Sequence, residues 1–391
     1  MNRRVAGALI AVLAAGILTC WAQGFWPVAL VETGAFLLAA VWILGWMLSG
    51  TPVQGSPVLV LLAGGVAWGA LQLATGRTVY PFETGASLLG WAANTAVFFV
   101  ALQVCVDTQT RNRFLRAVLW FGFAVSLIAV VQYFTSDGRV FWLFETPYPR
   151  TLGPFLYKNQ CAAFLELVFP LAVYQSLVDR RHSLVYMAMA ATMFAAVITA
   201  VSRAGTVLVT AELVVVLLLA NRQRDLIPAA SLRKTLVRVA ALSVVLTAVV
   251  GWQVTLEKFR EPEPYRVRRE LLLSSIAMIG DRPWLGFGLG TWPTVYPAYA
   301  RFDNGLVANR AHNDWAEWAV EGGMPFCALV AMIALWTALR AAESLWGIGI
   351  VAVFLHSIVD YPLREPALAA LLFAMLGALA ARAKPIPTTF E

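Results

Sequence analysis

The chain has 391 residues, of which 60% are hydrophobic and only 13% charged, and its mean hydropathy is +0.72. Soluble domains carry roughly 25% charged residues, so this balance excludes an ordinary water-soluble enzyme. A formal net charge of +7 would suit a nucleic-acid partner, but anchoring to anionic lipid and one basic outer loop explain it better.

A helical bilayer crossing takes roughly 17–25 apolar residues. In chain order, such runs fall at Val5–Trp21, Val28–Leu48, Pro57–Ala74, Ala86–Val106, Phe114–Phe134, Gln160–Val178, Leu184–Ala200, Gly205–Ala220, Leu236–Val254, Trp315–Leu339, Leu345–Val359 and Pro366–Ala381. The pattern predicts an all-α polytopic membrane protein, one integral-membrane domain over residues 1–391 with about twelve transmembrane helices. Leu345–Val359 and Gly205–Ala220 are short, which leaves ten or eleven crossings open. The runs are continuous rather than alternating, which argues against a membrane β-barrel.

Arg3-Arg4 ahead of the first run resembles a signal peptide. Its end, LTCWAQG, lacks a small-x-small cleavage site and has Thr19 before Cys20, so it reads as an uncleaved anchor. Cys20, Cys105, Cys161 and Cys327 lie in or beside spans with no paired spacing, which indicates neither disulfides nor zinc.

Lys and Arg in short connections set the orientation. With the N-terminus inside, the inner connections hold Arg3, Arg4, Arg111, Arg113, Arg116, Arg180, Arg181, Arg222, Arg224, Arg233, Lys234, Arg238, Arg340, Arg382 and Lys384. The outer ones hold only Arg77, Arg139, Arg150, Lys158, Arg203 and Arg364. Both termini are therefore expected in the cytoplasm, with a disordered tail from Arg382 to Glu391. Two outer loops result: a smaller one over 135–156, rich in interfacial aromatics, and a long one over 255–313.

The long loop carries most of the chemistry. Eight of the 29 Lys and Arg residues and one of the three histidines, His312, fall within it. From Tyr265 to Ile279, Val267, Leu271, Leu272, Ile276 and Ile279 recur at helical spacing, which predicts an amphipathic helix on the membrane or the bundle. Arg266, Arg268 and Arg269 would occupy its first turn, against the helix dipole. An anion shared between guanidinium groups and helix N–H donors would justify them, and contact with lipid phosphates is the competing reading. The following DRPWLGFGLGTW places Gly286, Gly288 and Gly290 in what resembles a phosphate loop. No strand precedes it and GxGxxG is not matched, so a tight turn packed against the membrane is expected instead.

His312 stands just before a span, where an imidazole is wet and able to exchange a proton, a position suited to a general base. Other polar residues converge on the same face: Ser202-Arg203 in a tight turn, Lys158-Asn159 at a span start, and His356, Asp360 and Arg364 in HSIVDYPLRE. Glu166 and Glu212 lie about two turns inside their spans. Ionisable residues at such depth usually line a cavity, with helix capping as the alternative for Glu166, Glu212 and Asp360.

These segments together resemble the O-antigen ligase and O-antigen polymerase superfamily, integral-membrane glycosyltransferases that use undecaprenyl-diphosphate-linked glycans. The resemblance runs from about Arg150 to Ala381. It rests on RTLGPFLYKNQCAAFLEL, SRAG, RRELLLSSIAMIGDRPWLGFGLGTW, AHNDWAEWAVEGG and HSIVDYPLREP. Both Arg268 with Leu272 and Arg269 with Leu273 fit the family's Arg-x-x-x-Leu element. One departure stands out: Gly323 is followed by Met324-Pro325-Phe326, so Phe326 occupies a position the family gives to glycine.

The resemblance implies a bacterial inner-membrane enzyme with its site facing the periplasm. Arg203 and Arg268 would hold the donor diphosphate, with Arg266, Arg269, Arg282 and Arg310 in reserve and Asn313 in the His-Asn element. His312 would deprotonate the acceptor hydroxyl and invert the anomeric carbon. The acceptor would be a lipid A–core sugar in a ligase, a second lipid-linked repeat in a polymerase, or a protein in a third variant. Neither cofactor nor metal is implied, and no acidic cluster resembling a Mg²⁺ site is read from the sequence. A flippase of lipid-linked sugars is the rival from another class. It fits less well, because the charges gather at one face and no inverted repeat is found.

Overall fold

The computed structural model describes residues 2–50, 52–222, 229–250, 266–302, 305 and 307–381. The first part of the long loop and the expected C-terminal tail lie outside them. Among the described residues the fold is nearly all-α. The helices are α1 (Asn2–Thr19), α2 (Trp26–Ser49), α3 (Pro57–Ala74), α4 (Pro81–Val104), α5 (Thr108–Thr135), α6 (Lys158–Val178), α7 (Ser183–Thr199), α8 (Arg203–Arg222), α9 (Ala229–Val250), α10 (Arg266–Asp281), α11 (Trp292–Val295), α12 (Asp314–Ala341), α13 (Ile348–His356) and α14 (Pro366–Ala380). A two-residue hairpin is added in the smaller loop, where β1 (Arg139–Val140) pairs antiparallel with β2 (Phe144–Glu145).

Local signals account for many of the boundaries. Prolines sit in the first turn of α2, α3, α4 and α14, where a missing N–H costs nothing. Ser56, Asp107 and Asn313 cap α3, α5 and α12 through their side chains. Gly50, in the left-handed region at φ 60°, closes α2.

Among the described residues, α1 to α6, α8 and α12 are long and apolar enough to cross a bilayer. Three shorter apolar helices accompany them, at Ser183–Thr199, Leu345–His356 and Pro366–Ala380. Helix α6 is the central pillar: 83% of its apolar window is buried, against 28–44% for the other long helices. It packs on α7, α8 and α13, while α14 is sunk against α4.

Side-chain contacts define two ends. At one, Arg3 donates to Gln109, Gln54 and Gln103 exchange hydrogen bonds, and Arg111 reaches the carbonyl of Ala381. At the other, Trp21 stacks on Phe144 and the Val79 N–H reaches the carbonyl of Phe287. The candidate site lies at this second end.

Candidate functional site

Helix α10 forms where the periodicity predicts, and it presents two different faces. Leu271, Ser274, Ser275 and Met278 face the protein, while Val267, Leu272 and Ile276 stay exposed. The stripe runs through serines because Ser275 is used as a bond. Its Oγ donates to the Leu271 carbonyl at 2.8 Å and accepts from Trp292 Nε1 at 3.0 Å. Leu271, Met278, Phe287, Trp292 and Val320 then form a small second core under the loop.

The glycine segment is a tight turn, but it packs on α12 of the protein, where the sequence predicts contact with the membrane. Helix α12 breaks at Gly323, whose φ of 72° lies in the left-handed region. A Cβ there would come within 2.3 Å of the Trp284 carbonyl oxygen, and one on Gly286 within 2.3 Å of the Glu321 carbonyl oxygen. Only two glycines allow the backbones to meet. Phe287 N donates to Val320 O at 3.0 Å, Gly288 N to Glu321 O at 2.9 Å and Met324 N to Pro283 O at 2.8 Å. Close approach is therefore made at Gly322-Gly323. Phe326 is fully buried and meets Trp91 edge-on at 5.2 Å.

A buried arginine ties three segments to α12. Asp314, Glu317 and Glu321 recur at helical spacing and all face inward. The Arg364 guanidinium fills their centre, at 2.9 Å from Glu317, 2.8 Å from Glu321 and 3.6 Å from Asp314. Each carboxylate also grips a different backbone N–H: Leu363 on Asp314, Ala311 on Glu317 and Trp292 on Glu321. Burial alone would lower the Arg364 pKa, and the three carboxylates more than offset it.

This frame presents His312. Its backbone is left-handed at φ 53°, sparse territory for a non-glycine residue. The Ala311 N–H bond at 2.7 Å to Glu317 on one side and the Asn313 cap on the other hold it there. The imidazole Nδ1 lies 3.4 Å from Asp360 Oδ1 and 3.4 Å from the Tyr157 hydroxyl. The Tyr361 ring meets it edge-on at 4.9 Å.

Asp360, only 1% exposed, is the centre of the cluster. It accepts from Arg268 Nη2 at 2.8 Å, from the Tyr157 hydroxyl at 3.2 Å and from Asn159 Nδ2, and its Oδ1 accepts from Tyr361 N at 2.9 Å. Burial pushes this carboxyl up, but the His312 hydrogen bond and the Arg268 charge win and hold it below the usual carboxylate range. Arg268 Nη1 also donates to the Val359 carbonyl at 2.6 Å, which fixes the guanidinium plane. Burial and the Asp360 charge raise the phenols of Tyr157 and Tyr361, so both are kept as hydrogen donors.

The sequence candidates thus divide. His312, Arg268, Asp360 and Asn159 meet in one cluster. Lys158 opens α6 beside it and donates to the Val201 carbonyl at 3.2 Å, which brings the turn bearing Arg203 to the same edge. Arg266 and Arg269 are exposed, and Arg269 pairs with Glu270 at 3.5 Å. Arg282 lies over the Phe287 ring at 4.6 Å. Arg310 stands 3.8 Å from Glu317, and Asn313 caps α12. His356 pairs with Glu166 at 2.9 Å with both side chains fully buried, and Arg364 is enclosed as described. Sequence reasoning missed Tyr157, Tyr361 and the carboxylates of α12. Only the spacing of Asp314, Glu317 and Glu321 on one helix face could have signalled the last.

Residues 188–331 match the family model described as O-antigen ligase. The match contains Arg203, Arg268 and His312, starts after Tyr157 and stops before Asp360. It supports a likeness to the O-antigen ligase and polymerase superfamily, and the apolar helices fit a multi-pass membrane protein. Against curated proteins, the chain finds no match.

Proposed function

We propose that this member of the O-antigen ligase and polymerase superfamily moves a glycan from an undecaprenyl-diphosphate carrier to an acceptor hydroxyl at the periplasmic face, as a ligase acting on lipid A–core. One observation carries the reading: His312, Asp360, Arg268 and Tyr157, from four separate segments, converge in one half-buried cluster.

Asp360 beside Nδ1 selects the tautomer that carries its proton on Nδ1, which leaves the Nε2 lone pair for the acceptor. As His312 takes the hydroxyl proton, Asp360 stabilises the imidazolium that forms. The acceptor oxygen then bonds to the anomeric carbon as the bond from that carbon to the diphosphate oxygen breaks. The electron pair leaves with the diphosphate, and the configuration inverts. Arg268 and Arg203 would receive that charge. A preorganised donor aimed at developing negative charge is worth roughly 2.7–4 kcal/mol in a water-poor site. Guanidinium groups of this kind can do the work of a metal ion, so transfer should survive chelation. The apolar helices would shelter the prenyl tail.

The test is in vitro transfer in detergent with chelator present, from an undecaprenyl-diphosphate oligosaccharide. Lipid A–core and a second lipid-linked repeat compete as acceptors. Product on lipid A–core supports the ligase reading, product on the repeat makes the enzyme a polymerase, and no product on either rejects glycosyl transfer to these acceptors.

A further inference from the structure

A cavity of about 360 Å³ opens among α2, α4, α12 and α14, with Arg364 in its lining. Its volume is in the range of small-ligand sites, which begins at roughly 300 Å³. The lining includes Arg310, two residues before His312, and Gly290 of the glycine turn.

The lining has two characters. Trp91 and Trp318 meet edge-on at 6.3 Å and give an aromatic surface. Glu32, Glu83, Ser87 and Asn94 add polar groups from α2 and α4. All four are half-buried, and none of their side chains hydrogen-bonds another described residue. Carboxylates and amides placed in apolar helices cost free energy and usually mark a ligand path. The buried charges of the neighbouring frame and cluster, Asp314, Glu317, Glu321, Asp360 and Arg364, are by contrast bonded to protein.

We infer that this cavity holds the sugar rings of the acceptor, with the reactive hydroxyl directed past Arg310 toward His312. The inference rests on the glycosyl-transfer reading. Sugar rings present hydroxyl donors around an apolar C–H face, and the lining offers carboxylate, amide and hydroxyl acceptors around indole faces. Arg310 and Arg364 also line the cavity, but both are engaged by carboxylates of α12, so Glu32 and Glu83 leave it unfavourable to a diphosphate. A prenyl or acyl chain would leave four polar side chains dehydrated and unpaired.

Two measurements test this. In the first, a photo-crosslinking amino acid is introduced at Ser87, with Val60 on the exposed face of α3 as control. The protein is placed in nanodiscs holding purified lipid A–core or, separately, the undecaprenyl-diphosphate repeat. A Ser87 adduct on a sugar ring of either glycolipid is expected. Adducts confined to hydrocarbon chains, or none, overturn the assignment. In the second, Glu32→Gln and Asn94→Ala are each expected to raise the acceptor KM about tenfold, with kcat and the donor KM within twofold. An unchanged acceptor KM, or a rise in the donor KM instead, overturns it. A wild type that transfers nothing rejects glycosyl transfer to these acceptors, while the crosslink still identifies what fills the cavity.

Discussion

Replacing Asp360 by asparagine keeps the shape of the central group and removes its charge. In the wild type its carboxylate accepts from Arg268, Tyr157, Asn159 and the Tyr361 N–H while lying beside His312. Breaking a buried ion pair costs about 3–5 kcal/mol. The Arg268 side chain is 26% exposed and keeps its bond to Val359, so the loss here should be about 2–4 kcal/mol. The catalytic effect is separable from this. An asparagine amide can turn its N–H toward His312 Nδ1, which would put the ring proton on Nε2 and block the base. General-base catalysis contributes about 10²–10⁴-fold, so kcat should fall by that factor. Steady-state transfer in detergent and thermal melting read the two effects on the same preparation. A folded variant that keeps kcat within threefold of wild type would refute the role given to Asp360.

Three further outcomes are expected. Asp360 has a folded pKa below its unfolded value of about 3.9. Its contribution is therefore complete above that value and lost as pH falls through the folded one. Melting temperature should hold level from pH 7 to about 5 and drop below about 4, with a smaller drop in Asp360→Asn. Arg364→Ala leaves three carboxylates facing one another without their cation. It should cost about 3–5 kcal/mol in chemical denaturation, and adding Glu317→Gln should recover part of this. Gly323→Ala puts a Cβ at φ 72° against the Trp284 carbonyl, so it should cost at least about 1–3 kcal/mol and expose the 283–290 turn to proteolysis.

Much of this architecture was legible in the chain because a bilayer imposes a simple rule. A span must be long, apolar and helical, and each of the expected runs falls on a helix as far as the described residues extend. The candidate site was legible in part for the same reason: charged residues are scarce here, so Arg268, His312 and Asp360 stand out. Both Arg268 and Arg269 fit the motif, and only geometry separates them, since Arg268 turns inward to Asp360 while Arg269 is exposed. Tyr157 gave no signal, because its partner Asp360 is 203 residues away. The carboxylates of α12 were hidden differently. Their spacing suits a helix cap equally well, and their cation arrives from the 362–364 turn. The protein-facing serines of α10 were not legible, because hydrophobicity alone does not weigh a buried serine bonded to a tryptophan N–H.

The central claim is that the His312 imidazole removes the acceptor proton. Its most direct test is transfer by His312→Ala, folded in detergent, with and without added imidazole. Loss of about 10²–10⁴-fold in kcat, partly restored by imidazole and unaffected by chelator, is the expected result. Undiminished transfer by the variant without imidazole would contradict it.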